Sequence, residues 1–290
     1  MVSIVIPTYN RERVLLRAIE SVLKQTYTDL EVIVADDCSQ DGTQHLVESI
    51  ADPRVRYCRL EKNAGACAAR NMGISLAKGE FIAFQDSDDV WHPEKLQTQM
   101  DVLTQTGADL TFCSFEKLFD NGQRVVHPQG MKSHFCTREE LMNNSLASTQ
   151  CILGKAEAVR NTMFDVSIPR MQDYDFIIRA AEHHSVYYEN QVLVTLYEQA
   201  DSITAGKKGY RKHMEIAQKF LKKYEHLRPV YPQWELKMLK IIAHSQVMLK
   251  LDALSTLKEI YEKEKKPANY LKVLLYKTGI LYHIWRKADQ

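Results

Sequence analysis

The first hundred residues alternate short apolar runs with stretches of helical periodicity, and that alternation leaves few folds open. Val2-Ser3-Ile4-Val5-Ile6 reads as a buried strand halted by Pro7. Leu15, Leu16, Ile19, Val22 and Leu23 then recur at helical spacing. Glu31 to Ala35 is a second strand, followed by a helix through Leu46, Val47 and Ile50. Val55 to Leu60 is a third strand, Ala64 to Leu76 a helix closed by Gly79, and Glu80 to Phe84 a fourth strand. A β-α-β-α-β-α-β order requires right-handed crossovers and a mainly parallel sheet. Ligands of such sheets sit outside the carboxyl ends of the strands. The polar clusters fall there: Thr8-Tyr9-Asn10-Arg11, Asp36-Asp37, Asn63 and Asp86-Ser87-Asp88.

The last of these clusters carries the most chemistry. Gln85-Asp86-Ser87-Asp88-Asp89-Val90-Trp91 follows directly on the apolar run Phe81-Ile82-Ala83-Phe84. Three carboxylates within four residues at the end of a buried strand are costly unless something positive sits among them. Hard divalent cations take oxygen ligands, and Mg²⁺ or Mn²⁺ commonly bridges carboxylate and phosphate. A solvated loop or an acidic helix cap is the alternative that this stretch alone leaves open.

The chain has 290 residues, enough for one full core and an appendage. The formal net charge of +1 conceals a polarity. Residues 1–204 carry 19 Lys and Arg against 29 Asp and Glu, whereas residues 205–290 carry 19 against 8. Two regions with different partners are expected, with a boundary near Ala205-Gly206: an α/β domain over 1–205 and a basic helical region over 206–290. The six cysteines form no CxxC pair and no His cluster accompanies them in sequence, so zinc and a disulfide framework are disfavoured. Reduced thiols and the lack of a signal segment before the first strand point to the cytoplasm.

Beyond the fourth strand the pattern is less regular. Glu94 to Leu103 is expected to be helical, Leu110 to Phe115 a strand, and Glu116 to Val126 a hairpin around Asn121-Gly122. No G-x-G-x-x-G follows the first strand and no G-x-x-x-x-G-K-[ST] occurs, which disfavours a dinucleotide oxidoreductase or a P-loop ATPase.

Five stretches in order carry a resemblance: Val2 to Arg11, Ser21 to Tyr27, Val34 to Thr43, Asn63 to Gly73 and the Asp86-Ser87-Asp88-Asp89 cluster. With the later Met171-Gln172-Asp173-Tyr174-Asp175-Phe176 and Arg179, they resemble glycosyltransferase family 2 over roughly residues 1–200. The resemblance implies an α/β fold of GT-A type: Rossmann-like, with a mainly parallel central sheet, a nucleotide-binding half and, in this chain, an added C-terminal helical region. It implies an inverting, metal-dependent transfer of a sugar from a nucleotide-diphosphosugar, most often a UDP-sugar, with Mn²⁺ or Mg²⁺. The acceptor would be a hydroxyl of a surface glycan, a lipid-linked oligosaccharide or a glycoprotein.

The residues make sense in those roles. Tyr9 can pack against a base, while Thr8 and the backbone beside Pro7 and Arg11 can hold a ribose. Asp36 or Asp37 can accept from the base imide, and Asp37 can alternatively cap the following helix. Cys38 stands where the family norm is Gly. Asn63 and Ser87 complete the expected donor site, and Arg70 matches a diphosphate bidentately. Asp88 is the first choice for the metal, with Asp86 on the ribose or the metal's water shell. Asp173 is expected to be the base that takes the acceptor proton, with Asp175 as the alternative and helix capping as its structural role. Asp89, Trp91, Gln150 and Gln172 are expected to border the acceptor. Many relatives place a His near Glu198 and Gln199, where this chain has none, so no third metal ligand is expected from that segment.

The basic region mixes Leu271, Leu274, Ile280, Ile284 and Trp285 with Lys272, Lys277, Arg286 and Lys287. Such a composition fits a helix lying on an anionic membrane surface, which would place the protein peripherally on the inner face of the plasma membrane. It fits equally a helical bundle packed on the catalytic domain or in a homodimer. Nucleic acid is disfavoured because no reader motif accompanies the charge. Two other functions stay open from sequence alone: a nucleotidyltransferase that makes sugar nucleotides, and a non-catalytic sugar-nucleotide-binding subunit.

Overall fold

The structure is a computed structural model that describes residues 1–198 and 206–288. The chain divides into two compact units, residues 1–200 and 201–290. The expected boundary near Ala205-Gly206 abuts residues 199–205, and these, with the segment Gln199 to Ile203, lie outside the described residues.

The first unit opens with the strands β1 (Val2–Thr8), β2 (Leu30–Asp36), β3 (Val55–Arg59) and β4 (Phe81–Phe84). They alternate with the helices α1 (Leu15–Leu23), α2 (Thr43–Glu48) and α3 (Ala66–Leu76). β2 and β4 flank β1 and β3 flanks β2, all in parallel register. Every residue of β1 and β2 is buried, as a sheet covered on both faces requires. α1 buries Leu15, Ala18, Ile19 and Val22 along one stripe, as its spacing predicts. α3 approaches β1 so closely that a Cβ on Gly73 would come within 2.4 Å of Val5 Cγ1, so this crossing admits only glycine. Chain order reverses at β1, between β2 and β4, which opens a crevice at their carboxyl ends.

The rest of the unit comprises β5 (Val90–Trp91), α4 (Lys95–Thr106), β6 (Leu110–Phe119), β7 (Arg124–His127), β8 (His134–Phe135) and α5 (Arg138–Asn143). They are followed by β9 (Ile152–Lys155), α6 (Ala156–Thr162), α7 (Gln172–Ala180) and β10 (Val186–Glu198). The sheet runs β3-β2-β1-β4-β9-β6-β10-β5, with β7 beside β6 and β8 beside β10. This half is mixed: β9 is antiparallel to β4 and β6, whereas β10 is parallel to β6. The strand expected to end at Phe115 continues to Phe119, because β7 pairs with its second half across a turn at Asn121-Gly122, where Gly122 has φ +80°. The cysteines are not all remote from histidine: Cys136 lies near His134 and Glu140, with the three ligand atoms within 4.8 Å of one another. Glu140 is already engaged there, by His134 at 2.9 Å and by a capping box with Thr137.

The second unit is helical: α8 (Gly206–Lys223), α9 (Pro232–Met248), α10 (Leu254–Lys263), α11 (Pro267–Lys277) and α12 (Ile280–Ala288). Pro232 and Pro267 open helices instead of breaking them, since the first turn needs no N–H from them. Leu236, Leu239, Ala243, Val247, Leu257, Ile260, Val273 and Leu281 form its core.

Candidate functional site

The crevice at the switch point holds a cavity of about 340 Å³, lined by Pro7, Thr8, Tyr9, Arg11, Asp37, Ala66, Ala69, Arg70, Asp86, Ser87 and Asp88. β1 delivers the first of these, β2 delivers Asp37, α3 delivers Arg70, and the loop after β4 delivers the acidic pair. Nine residues proposed from sequence thus meet in one place. Tyr9 is exposed, at 43 %, and offers its ring at the rim.

The two candidate aspartates after β2 separate cleanly. Asp36 is fully buried; it accepts from Ser39 N at 2.9 Å, Ser39 Oγ at 2.6 Å and the Tyr57 hydroxyl, and it does not line the cavity. The expectation that it could face the base is corrected: its side chain is consumed in holding the turn. Asp37 lines the cavity and accepts from Ala64 N at 2.7 Å and Gly65 N at 2.8 Å. It therefore holds the approach to α3 and does not cap α2, where Asp41 accepts from Thr43 N. Gly65, at φ +90°, makes that approach sterically free. Cys38, the residue in place of glycine, has φ +68°, the left-handed region that explains the glycine norm. Asn63 is exposed in the turn before α3 and is not among the lining residues.

Arg70 is the hub. Its guanidinium is buried, donates from Nη2 to Asp86 Oδ1 at 2.7 Å and from Nη1 to Gln172 Oε1, and lies 5.3 Å from the centre of the Phe164 ring. Phe164 is braced by Phe84 and Phe176, with ring centroids 5.1 and 4.7 Å away. Gln172 and Asp173 open α7, so Arg70 ties the acidic loop to the first turn of the helix that carries the expected base. Gln172 therefore holds Arg70.

Asp173 is half-buried and accepts from the adjacent Tyr174 N at 2.8 Å. Burial pushes its carboxyl up to about 6; the Arg70 charge opposes the shift and the Asp86 charge adds to it. An acid held near neutrality is suited to proton abstraction. Asp175 is not an equivalent candidate. It is fully buried and locked to Arg179 Nε at 2.8 Å, while Arg179 Nη2 donates to Met163 O at 2.7 Å. The Asp173–Arg179 spacing therefore reflects no contact between those two; the arginine's partner is Asp175.

Three of the expected acceptor residues lie inside the protein. Trp91 is 2 % exposed, its Nε1 donates to Gln150 O at 3.0 Å, and the buried Lys95 ammonium stands 3.9 Å from its ring centre. Gln150 is 2 % exposed and donates from Nε2 to Asp89 Oδ2 at 2.8 Å. Asp89 also accepts from Tyr197 N at 3.2 Å. Burial, with the charges of Asp86 and Asp88, pushes Asp89 up to about 8, against two donated hydrogen bonds that favour its ionised form. These three brace β5, β10 and the turn at Thr149–Cys151; they do not border an acceptor as expected.

Sequence reasoning missed Arg17. Its Nη2 donates to the Asp88 carbonyl at 2.6 Å, and its guanidinium stacks 3.9 Å from the Tyr197 ring centre. Nothing in the periodicity of α1 distinguishes this exposed arginine from a solvated one.

The cavity suits a divalent cation with a diphosphate. Burial, with the neighbouring Asp86 charge, pushes Asp88 above the usual carboxylate range, a cost that a bound cation relieves. Thr8 Oγ1 and Arg70 Nε are buried polar atoms without a partner, and both residues line the cavity. Hard oxygen donors at Asp86 and Asp88 match Mg²⁺ or Mn²⁺.

A GT-A fold with an acidic pair, an arginine and an aromatic rim at the switch point defines the class: sugar-transferring enzymes of this architecture. The chain belongs to glycosyltransferase family 2; residues 3–166 match the family described as "Glycosyl transferase family 2". It is 31 % identical over 243 residues to WcaA of Escherichia coli (strain K12), a protein named for colanic acid biosynthesis, with 78 % of this chain and 85 % of that protein covered. It is 39 % identical over 131 residues to the Escherichia coli protein named UDP-Glc:alpha-D-GlcNAc-diphosphoundecaprenol beta-1,3-glucosyltransferase WfgD. That match spans 44 % of this chain and about half, 52 %, of the relative. The crystal structure of S. aureus TarS 1–349 in complex with UDP-GlcNAc is similar in fold, with a TM-score of 0.64 at 20 % identity, covering 99 % of this chain and 88 % of that one.

Proposed function

We propose that this glycosyltransferase moves a hexosyl or N-acetylhexosaminyl group from a UDP-sugar to a hydroxyl of a surface glycan or a lipid-linked oligosaccharide, with inversion at the anomeric carbon. The observation that carries the donor part is the convergence of Tyr9, Asp37, Arg70, Asp86 and Asp88 on one cavity that also holds two unpartnered buried polar atoms. Tyr9 packs on the base, Asp37 accepts from it, and Thr8 Oγ1 donates to the ribose or a phosphate. Asp88, with Asp86, holds Mn²⁺ or Mg²⁺, which when bound neutralises charge that grows on the departing diphosphate. Arg70 binds the same phosphates. Asp173 takes the proton of the acceptor hydroxyl as its oxygen bonds to the anomeric carbon and the bond to the diphosphate breaks. The acceptor class is supported by the names of WcaA and WfgD, proteins of glycan assembly.

The second unit supports a peripheral membrane contact. Among the described residues from 265 to 288 six are basic and none acidic, and no helix is long and apolar enough to cross a membrane. Tyr270, Leu271 and Leu274 on α11 and Ile280 and Ile284 on α12 stand 41–52 % exposed. Trp285 does not join them; it stacks on His244 at 4.8 Å. Apolar side chains among lysines and arginines fit an anionic lipid surface, where lipid-linked acceptors reside.

Product analysis tests the enzyme reading. Incubation with a panel of nucleotide sugars, Mn²⁺ and undecaprenyl-diphosphate-linked acceptors should release UDP. Release of pyrophosphate would instead mean nucleotidyl transfer, and donor binding without turnover across the panel would mean a binding subunit.

A further inference from the structure

The two carboxylates suited to a cation are each already held by an arginine. Arg70 Nη2 lies 2.7 Å from Asp86 Oδ1, and Arg11 Nη2 lies 3.6 Å from Asp88 Oδ2. All four residues line the same cavity. The pairs differ in strength. Arg11 and Asp88 are 43 % and 37 % exposed, and such a pair parts easily, whereas Arg70 is 6 % exposed and anchored by Gln172 and Phe164. A cation that enters between the carboxylates leaves both guanidinium groups without an anion. A diphosphate supplies that anion in the fork geometry that guanidinium prefers, and Arg70 Nε stands buried without a partner on the same side chain.

We propose that Arg11 and Arg70 are resident counter-cations: they hold Asp88 and Asp86 until a divalent cation takes those carboxylates, and then pass to the diphosphate, so that cation and nucleoside diphosphate bind with positive coupling and each binds weakly alone. The inference rests on the reading of this cavity as the donor site. Reciprocity requires that the cation tighten the nucleotide by the same factor as the nucleotide tightens the cation. The exchange also has a sign that simpler roles lack. Removing an arginine should tighten the cation when it binds alone, because its carboxylates are freed, and weaken the nucleotide. An arginine that only touched phosphate would leave the cation unaffected.

The experiment uses the full chain and two probes, Mn²⁺ and UDP. Mn²⁺ alone is titrated by the paramagnetic signal of the free ion, and UDP by calorimetry with and without Mn²⁺, with Mn²⁺–UDP association in solution fitted separately. The wild type should bind UDP about tenfold or more tightly with Mn²⁺ present, within the usual range of coupling between sites. Arg11→Gln should tighten Mn²⁺ alone by about two- to fivefold, the worth of an exposed ion pair, and loosen UDP. Arg70→Gln should move both in the same directions and further. Arg13→Gln, an exposed neighbour outside both pairs, should move neither and so controls for general charge. Should Arg70→Gln fail to fold, the exposed Arg11→Gln still decides. Mn²⁺ binding unchanged or weakened in Arg11→Gln, or tightened equally in Arg13→Gln, overturns the exchange. UDP and Mn²⁺ that both bind but without coupling overturn it too and leave the donor reading standing. A wild type that binds no UDP at saturating Mn²⁺ fails the donor reading itself.

Discussion

Asp88 and Asp89 are neighbours in the chain, yet they belong to two regions built on different terms. Asp88 faces the donor crevice, half-exposed and paired loosely with Arg11, in a wall where Thr8 Oγ1 and Arg70 Nε lack partners. Asp89 is turned into the second half of the sheet, 6 % exposed, with both oxygens satisfied by Gln150 and the Tyr197 amide. Around Asp88 unpartnered polar atoms face a cavity where the strands end; around Asp89 the polar groups are spent on joining β5, β10 and the Thr149–Cys151 turn. Unspent capacity at a cavity marks a site, and spent capacity marks a joint.

The largest effect confined to the chemical step, with donor binding intact, is expected at Asp173. Asp173→Asn should lower kcat by about 10²- to 10⁴-fold and leave donor affinity within about twofold, because the residue acts on the acceptor proton. The ionised form is the active one and burial raises its pKa, so the wild-type rate should fall as pH drops through about 6. The Asn variant should lose that limb of the pH–rate profile. A variant with retained turnover would return Asp173 to a helix-capping role.

A middle-sized effect is expected at the joint. Asp89→Leu leaves the Gln150 amide and the Tyr197 N–H without their acceptor and should cost about 1–3 kcal/mol in urea unfolding. Asp88→Ala should change stability by about 0.5 kcal/mol or less, as surface changes do, and abolish transfer. If the two variants changed places, the boundary between site and joint would be misdrawn.

The smallest effect is expected at the turn that carries Asp37. Cys38→Gly removes a left-handed strain of about 1–2 kcal/mol for a non-glycine residue. It also removes the 3.5 Å contact between Arg59 Nη2 and the Cys38 sulfur, and it gives the unfolded chain more freedom. A net gain of up to about 1 kcal/mol should raise Tm slightly, with donor affinity unchanged. A lower Tm would mean that the sulfur contacts outweigh the strain.

Legibility from sequence followed the same division. The parallel strands β1, β2 and β4 could be read because strands buried on both faces show as mainly apolar runs, while the outer strand β3 shows only as alternation; the residues at their carboxyl ends then had to share one edge. Tyr9, Asp86 and Asp88 were found that way, and Arg70, on α3, through the family resemblance of Asn63 to Gly73. Asp36 and Asp37 could not be ranked, since adjacent carboxylates differ only in which way the strand turns them. Trp91 and Gln150 were misplaced because an aromatic or an amide beside an acidic cluster reads the same whether it faces a sugar or a core. Arg17 gave no signal at all, since its partners are a backbone carbonyl and a ring about 180 residues away in the chain.

Apolar period and strand-end polarity are local properties, so the β-α order and the edge where polar side chains gather followed from them, and the ordered motifs carried the family resemblance with its nucleotide-sugar site. Which of those side chains remain available was settled by the folded chain. That choice depends on hydrogen bonds and ion pairs between distant segments: Tyr57 closes Asp36, Arg179 claims Asp175, Gln150 closes Asp89, and Arg70 joins Asp86 to the start of α7.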